Sequence, residues 1–460
     1  MATEPRALTV NDIIDERPLS RFQLMTILLC SLVLLLDGFD TQAMGFLVPP
    51  ISDELGIPLS AFGTVLSAGL FGLMIGAMSA GPIADRWGRK WAIIVSALVF
   101  GFFSLLTAGA DSIRELVTLR FLTGLGLGGA MPNVVALASE YAPKRLQPIL
   151  VTAIFAGMGG GAVLASLVGG ALIPIWGWRS VFYVGGILPI GLAVVLIKAL
   201  PESVRFLTVR GADPVRVSAI VRRIAPELSD VPLAPTARPG AGMASSSERF
   251  AVAQLFSDGR TTGTLLLWVP FFMNLLILYF ILSWLPSLLR QAGMPVSAGI
   301  TAVMVFSIGG ILGAFVQGPL MKAIGVFTTM VAEFVISLLL VVAASLIFEN
   351  FPLMMTVTFI LGISVQGAQA GLNVLSAMYY PTVIRSTGVG WALGIGRIGS
   401  IVGPMIGGVM LSLEWTPQQI FMAGAVPAIC AAVAVLASGY LQGRVSPFRP
   451  ASEMTTAPAH

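Results

Sequence analysis

What most limits how this chain can fold is a series of about twelve apolar runs, each of bilayer-spanning length. They fall near 22–48, 61–81, 91–110, 115–138, 149–173, 179–200, 262–289, 297–321, 325–348, 352–375, 386–412 and 418–441. About twenty apolar residues in a helix rising 1.5 Å per residue cross the ~30 Å hydrocarbon core. No water there satisfies an open strand edge or a loop, so helices are the economical solution. The expected fold is an all-α membrane protein with twelve transmembrane helices in two six-helix bundles. Composition excludes a soluble enzyme, because only 10% of the residues are charged against about 25% in soluble domains.

The texture changes between the sixth and seventh runs. Residues 201–260 hold eight arginines, from Arg205 to Arg260, together with Pro226, Pro232, Pro235, Pro239 and Ser245 to Ser247. This polar stretch reads as a connector. The expected organisation is a tail at 1–21, a bundle at 22–200, the connector at 201–260, a second bundle at 261–441 and a tail at 442–460. The first twenty residues mix Glu4, Asp12, Asp15 and Glu16 with Arg6 and Arg17, which does not read as a cleaved signal.

The bundles look like copies. At an offset of 237, Gly81-Pro82 falls on Gly318-Pro319, Gly88 on Gly325 and Asp37 on Asn274; one residue further, Tyr141 and Pro143 fall on Tyr379 and Pro381. Parallel six-helix repeats are the architecture of a transporter with a midplane site between its halves. Arg86, Arg89, Lys90, Lys144, Arg145, the connector arginines, Lys322, Arg385 and Arg444 fall on one side. Arg114, Arg179 and Arg290 fall on the other, beside Asp53, Glu54, Asp111, Glu115, Glu349 and Glu414. The positive-inside rule then places both termini in the cytoplasm. The only histidine is His460, and Cys30 and Cys430 lie in separate apolar runs. No metal site, cofactor site or nucleophile–base pair is expected, and no nucleic-acid partner.

Within the first run stands Leu36-Asp37-Gly38-Phe39-Asp40-Thr41. A carboxylate near the centre of a membrane helix costs at least about 2.5–3.5 kcal/mol on insertion scales. Two of them three residues apart share a helical face and point to a proton or ion relay, the alternative being a packing pair with a buried arginine. Arg120 opens the fourth run ahead of Gly124, Gly126, Gly128 and Gly129. It needs an anion: Asp37, Asp40 or a bound carboxylate, unless it snorkels to the membrane edge. Glu140 ends that run as an ion-pair partner or a functional acid. In helix seven, Asn274, Tyr279 and Trp284 suit an aromatic ligand, with Trp284 also placed for an interfacial belt. Gln366, Gln369 and Asn373 form one polar stripe on helix ten, lining a cavity or bonding another helix. Arg397 lies eleven residues past Ser386, about 16 Å into the membrane. It is the candidate cation for an anionic substrate, with Phe39 and Trp391 as further substrate contacts.

Gly81-Pro-Ile-Ala-Asp85-Arg86-Trp87-Gly88-Arg89-Lys90 reads as a tight turn with one acid and three bases. It resembles the signature loop of the major facilitator superfamily, which implies a gate: Asp85 and Arg89 latch the outward-facing state. Asp37 to Asp40, Gly81 to Lys90, Arg120 to Asn133, Leu200 to Phe206 and Tyr380 to Gly408 together resemble its aromatic acid:proton symporters. That resemblance covers nearly the whole chain apart from the termini and 211–260. It implies a monomeric carrier in the bacterial inner membrane that imports a hydroxybenzoate-like anion with protons, without a cofactor. It also implicates Asp37, Asp40, Arg120, Glu140, Arg385 and Arg397 in transport. Ala165-Ser166 in helix five replaces the Gly-Pro of antiporters and favours symport. Within transport the alternatives are carriage of nicotinate, muconate or a phenylpropionate, and export; outside it they are a membrane-embedded enzyme, for which no His or Cys cluster supplies a nucleophile–base or metal set, and a sensor that binds without transport.

Overall fold

The computed structural model describes residues 13–15, 17–209, 214–224, 252–257, 259–347, 350–381 and 384–441. Glu349, Arg444, the C-terminal tail, most of the N-terminal tail and the centre of the connector lie outside them. Among the described residues, twelve helices are long and apolar enough to cross a membrane. The first six are α1 (Arg21–Leu55), α2 (Phe62–Trp87), α3 (Arg89–Thr107), α4 (Ile113–Tyr141), α5 (Gln147–Trp176) and α6 (Arg179–Ala199). The second six are α7 (Thr261–Gln291), α8 (Val296–Ile324), α9 (Val326–Leu346), α10 (Phe351–Tyr379), α11 (Arg385–Ser412) and α12 (Pro417–Leu441, interrupted at Gly424). The protein is a multi-pass, all-α membrane protein.

Local sequence explains where α1 stops and starts. Ser20 Oγ accepts from the Gln23 N–H while Gln23 Oε1 accepts from the Ser20 N–H, which satisfies donors that a helix start leaves open. Gly56, at φ 65°, ends the helix in the left-handed region, where a Cβ is strained. Gln23 Nε2 also donates to Tyr141 O at 2.9 Å, tying the start of α1 to the end of α4.

The turn expected across residues 81–90 is shorter than the sequence implies. Helix α2 runs through Gly81 and Pro82 to Trp87, and α8 runs through Pro319 to Ile324. Each proline lies in the last two turns of its helix, where exposed surroundings tolerate the lost N–H bond. Only Gly88 and Gly325 turn the chain, at φ 93° and 88° with ψ 156° and 154°. The repeat is therefore present in backbone geometry as well as in sequence.

Packing repeats as well. Helix α2 lies along α4 and α8 along α10; α1 lies along α5 and α7 along α11. Helix backbones nearly touch there, as small residues permit. A Cβ on Gly72 would collide with Phe121 O, and one on Gly309, its repeat partner, with Phe359 O. Between the halves, α2 meets α11 and α5 meets α8. Several inter-half contacts lie toward the acidic side. Ser67 Oγ donates to Ile401 O at 2.7 Å, Gly45 rests on Leu282 O, Gly63 on Pro404 O and Gly408, and Arg290 pairs with Asp53 at 3.3 Å.

Candidate functional site: a charged cavity between the halves

A cavity with about 560 Å³ of empty space, partly open to solvent, lies between α1, α2, α4 and α7. Apolar side chains dominate its wall, including Leu66, Leu70 and Leu282, and Asp40, Arg120, Tyr279 and Ser283 bring polar groups to it.

Asp40 and Arg120 form a buried ion pair, with Arg120 Nη1 2.9 Å from Asp40 Oδ2. The pair is held on several sides. Ser104 Oγ donates to Asp40 Oδ1 at 3.1 Å, and Arg120 Nη2 donates to Thr123 Oγ1 at 3.0 Å and Thr107 Oγ1 at 3.3 Å. The guanidinium also lies 5.0 Å from the centre of the Phe182 ring. Removing two charges from water is costly, and this many hydrogen bonds are what offsets it. Arg120 Nε alone keeps no partner among the described residues. Arg120 therefore does not snorkel, and of its possible anions the structure selects Asp40.

Asp37 differs from Asp40 in its partners. It is just as buried, but the one hydrogen bond it accepts among the described residues comes from Thr41 Oγ1, at 3.2 Å. Arg397, across the midplane on α11, is the cation close enough to act on it electrostatically, without forming an ion pair. The Arg397 guanidinium makes two long contacts, 3.5 Å to Tyr279 Oη and 3.5 Å to Met131 Sδ. Tyr279 thus joins the cavity wall to Arg397. The two acids that share a face in sequence have different partners in space.

Several residues expected at the substrate lie outside the wall of this cavity. Asn274 is fully buried and donates to Val365 O at 3.1 Å and Gln369 Oε1 at 3.0 Å, which bonds α7 to α10. Gln366 lies over Gly310 of α8, with its Nε2 unpartnered among the described residues. Of the helix-ten stripe, Asn373 is the exposed member. Trp284 is neither a belt residue nor a cavity residue; it is fully buried and donates to Pro404 O at 3.0 Å. Phe39 is buried against Gly185 of α6, away from the cavity. Trp391 stacks on Trp268 and is exposed on the bundle exterior, in line with Ile398 and Met405. Its heptad spacing from those residues puts it on an apolar outer stripe.

The expected gating residues other than Arg385 gather at the basic end of the first half. Arg89 pairs with Glu140, and Glu140 Oε2 accepts from Ser203 Oγ at 2.6 Å. Glu202 Oε1 accepts from the N–H groups of Lys90 and Ser203, and its carboxylate lies directly over Gly88. This network ties α3, α4 and the start of the connector together within one half. Asp85 and Arg86 are exposed at the end of α2, and Gly81 is an open helical position. Arg385 Nε donates to Tyr380 O at 3.3 Å, at the α10–α11 turn.

Sequence reasoning missed the supports of the ion pair: Ser104, Thr107, Thr123 and Phe182. It also missed Thr41 and Met131. Thr41 was findable, because it follows Asp37 by one helical turn. The others come from different helices, and no spacing rule joins them.

Residues 30–340 match the sequence profile of the Major Facilitator Superfamily. The chain is 42% identical to the "4-hydroxybenzoate transporter PcaK" of Pseudomonas putida, over 94% of this chain and 96% of that one. It is 38% identical to a "Gallate transporter" from Pseudomonas putida, over 96% and 97%. Its fold resembles a bacterial homologue of the human lysosomal transporter Spinster, with TM-score 0.69 at 19% identity, covering 93% of this chain and 99% of that one.

Proposed function

Because the chain belongs to the Major Facilitator Superfamily, we propose that it imports an aromatic carboxylate of the hydroxybenzoate kind together with protons. The observation that carries this reading is the unequal partnering of three buried charges, Asp37, Asp40 and Arg120, and the half-buried Arg397. Asp40 and Arg120 neutralise each other, whereas Asp37 is held only by Thr41 and Arg397 makes only two contacts of 3.5 Å, and neither has an ion-pair partner among the described residues. The relatives named for 4-hydroxybenzoate and gallate support the substrate class.

In this reading the Arg397 fork takes the substrate carboxylate, the geometry for which guanidinium is suited. The ring lies between Tyr279 and the apolar cavity wall. With Asp37 ionised, two negative groups compete for one cation; a proton on Asp37 removes the competition. Substrate anion and proton then bind as a set of low net charge, which is less costly to occlude in hydrocarbon. The halves rock around the site, opening the Asp53–Arg290 end as the basic end closes. The Arg89–Glu140–Ser203 network keeps the first half rigid during that motion, with Arg385 at the matching end of the second. Following the basic residues, we place both termini in the cytoplasm and the protein in the bacterial inner membrane. It acts as a monomer driven by the proton gradient, without a cofactor.

The test is uptake of labelled 4-hydroxybenzoate into proteoliposomes with an alkaline interior. Accumulation is expected, and an ionophore that collapses the gradient abolishes it. Undiminished gradient-driven accumulation in both Asp37→Asn and Asp40→Asn would end the proton role. Stronger competition by nicotinate or phenylpropionates than by hydroxybenzoates would change the substrate.

A further inference from the structure

Glu333 of α9 is a buried carboxyl group that the cavity does not use. It is 6% exposed, and its hydrogen-bond partner is Gln317 of α8, whose Nε2 donates to Oε2 at 3.1 Å. Helix α10 presents two glycines to this pair. A Cβ on Gly367 would stand 2.9 Å from Glu333 Oε1 and 3.2 Å from Gln317 Oε1. A Cβ on Gly371 would run into Gln317 Nε2, Met330 Sδ and Met321 Cε. The corner is therefore shaped around the acid.

The elements packed on α9 are α8, α10 and α12. Their titratable groups are Lys322, Tyr379, Cys430 and Tyr440, and among the described residues none of them is a hydrogen-bond or ion-pair partner of Glu333. The repeat sharpens the point. Glu333 corresponds to Ser96 at the 237 offset, and Gly367 to Gly129 at the 238 offset that also relates Tyr141 to Tyr379. A Cβ on Gly129 would collide with Ser96 Oγ, so one corner occurs twice. The first half fills it with a hydroxyl and the second with an acid. A buried carboxylate without a cation is costly, and a proton is the smallest ligand that removes the charge.

We propose that Glu333 is a second proton-binding site, in the C-terminal half, and that its occupancy sets how closely α10 rests on α8 and α9. Helix α10 carries Gln366 and Gln369 on either side of Gly367, so the corner lies directly behind the amides that bond α7 and face α8. The proton site stands independently of the transport reading; only its effect on a transported substrate rests on that reading.

The test is infrared difference spectroscopy across pH on the full-length protein in lipid nanodiscs, which requires no transport. Wild type is expected to show the carbonyl-stretch band of a buried protonated carboxyl group. Glu333→Gln loses that band and Asp37→Asn keeps it. Gln317→Leu, which leaves the acid in place, shifts its frequency, so the proposal is tested even where Glu333→Gln does not fold. Gly367→Ala shifts the pH midpoint of the band. Absence of any Glu333-dependent band at every pH would overturn the proposal. So would a band that responds to sodium at fixed pH, which would make the corner a metal-cation site. A wild type that accumulates no aromatic acid would defeat the transport reading and leave this spectrum unchanged.

Discussion

Asp40 and Arg120 face each other across α1 and α4 with 2.9 Å between Oδ2 and Nη1, and both side chains are nearly excluded from solvent. Three residues earlier on the same helix, Asp37 has Thr41 as its hydrogen-bond donor and no ion-pair partner among the described residues. That difference decides what each acid is suited to do. A carboxylate fixed in a saturated pair holds structure, while one that meets a cation without pairing is free to exchange a proton.

Removing one member of a buried pair strands the other. Asp40→Asn is expected to destabilise the protein by about 3–5 kcal/mol, whereas Asp37→Asn, which leaves no cation stranded, costs less than about 1 kcal/mol. Thermal unfolding of both variants in the same detergent gives the comparison. Equal midpoints would mean that the Asp40–Arg120 pair does not hold the first half together.

Asp37→Asn is expected to abolish gradient-driven accumulation while leaving exchange of labelled for unlabelled substrate. Exchange needs the site to alternate but no net proton movement. Loss of both activities to the same degree would place Asp37 in substrate binding.

Arg397→Lys keeps the positive charge and removes the planar fork. A charge-assisted bond of this type is worth about 1.5–3 kcal/mol, so KM should rise roughly 10- to 100-fold with a smaller change in maximal rate. Arg120→Lys, by contrast, should lower the amount of folded protein. An unchanged KM in Arg397→Lys would exclude the arginine as the carboxylate partner.

The Asp53–Arg290 pair joins the halves at the acidic end, with both side chains substantially exposed. Exposed pairs contribute about 0–1 kcal/mol, so charge removal alone should alter uptake little. A covalent link has a different effect. Asp53→Cys with Arg290→Cys, joined by a bifunctional thiol reagent in a background lacking Cys30 and Cys430, should stop uptake, and a cleavable reagent should restore it on reduction. Full uptake by the linked protein would show that this end never opens.

Gly88 and Gly325 share a positive φ but not their surroundings. Alanine should cost on the order of 1–3 kcal/mol at either position for the backbone conformation alone, because φ near 90° with ψ near 155° is open essentially only to glycine. At Gly88 the added Cβ also meets the Glu202 carboxylate, while at Gly325 the nearest atom is Thr328 Oγ1 at 4.0 Å. Gly88→Ala is therefore the more damaging substitution, measured as the drop in thermal midpoint.

The sequence alone determined the membrane class, the helix number, the two-fold repeat and a glycine-bearing turn within residues 81–90. Each is written in local pattern: spanning length, apolar content, a fixed offset, a residue type that permits positive φ. It also marked Asp37, Asp40, Arg120 and Arg397, because charge in an apolar run is costly and stands out. Which acid meets which cation was settled only by the crossing of α1 with α4 and by α11 approaching from the other half. For the same reason the sequence did not show that Phe39, Trp284 and Trp391 lie outside the cavity wall. A helix presents several faces, and composition does not reveal which neighbour each one meets. Glu333 shows this most plainly. In sequence it is an isolated acid, and it becomes a site only where α8 supplies an amide and α10 two missing side chains.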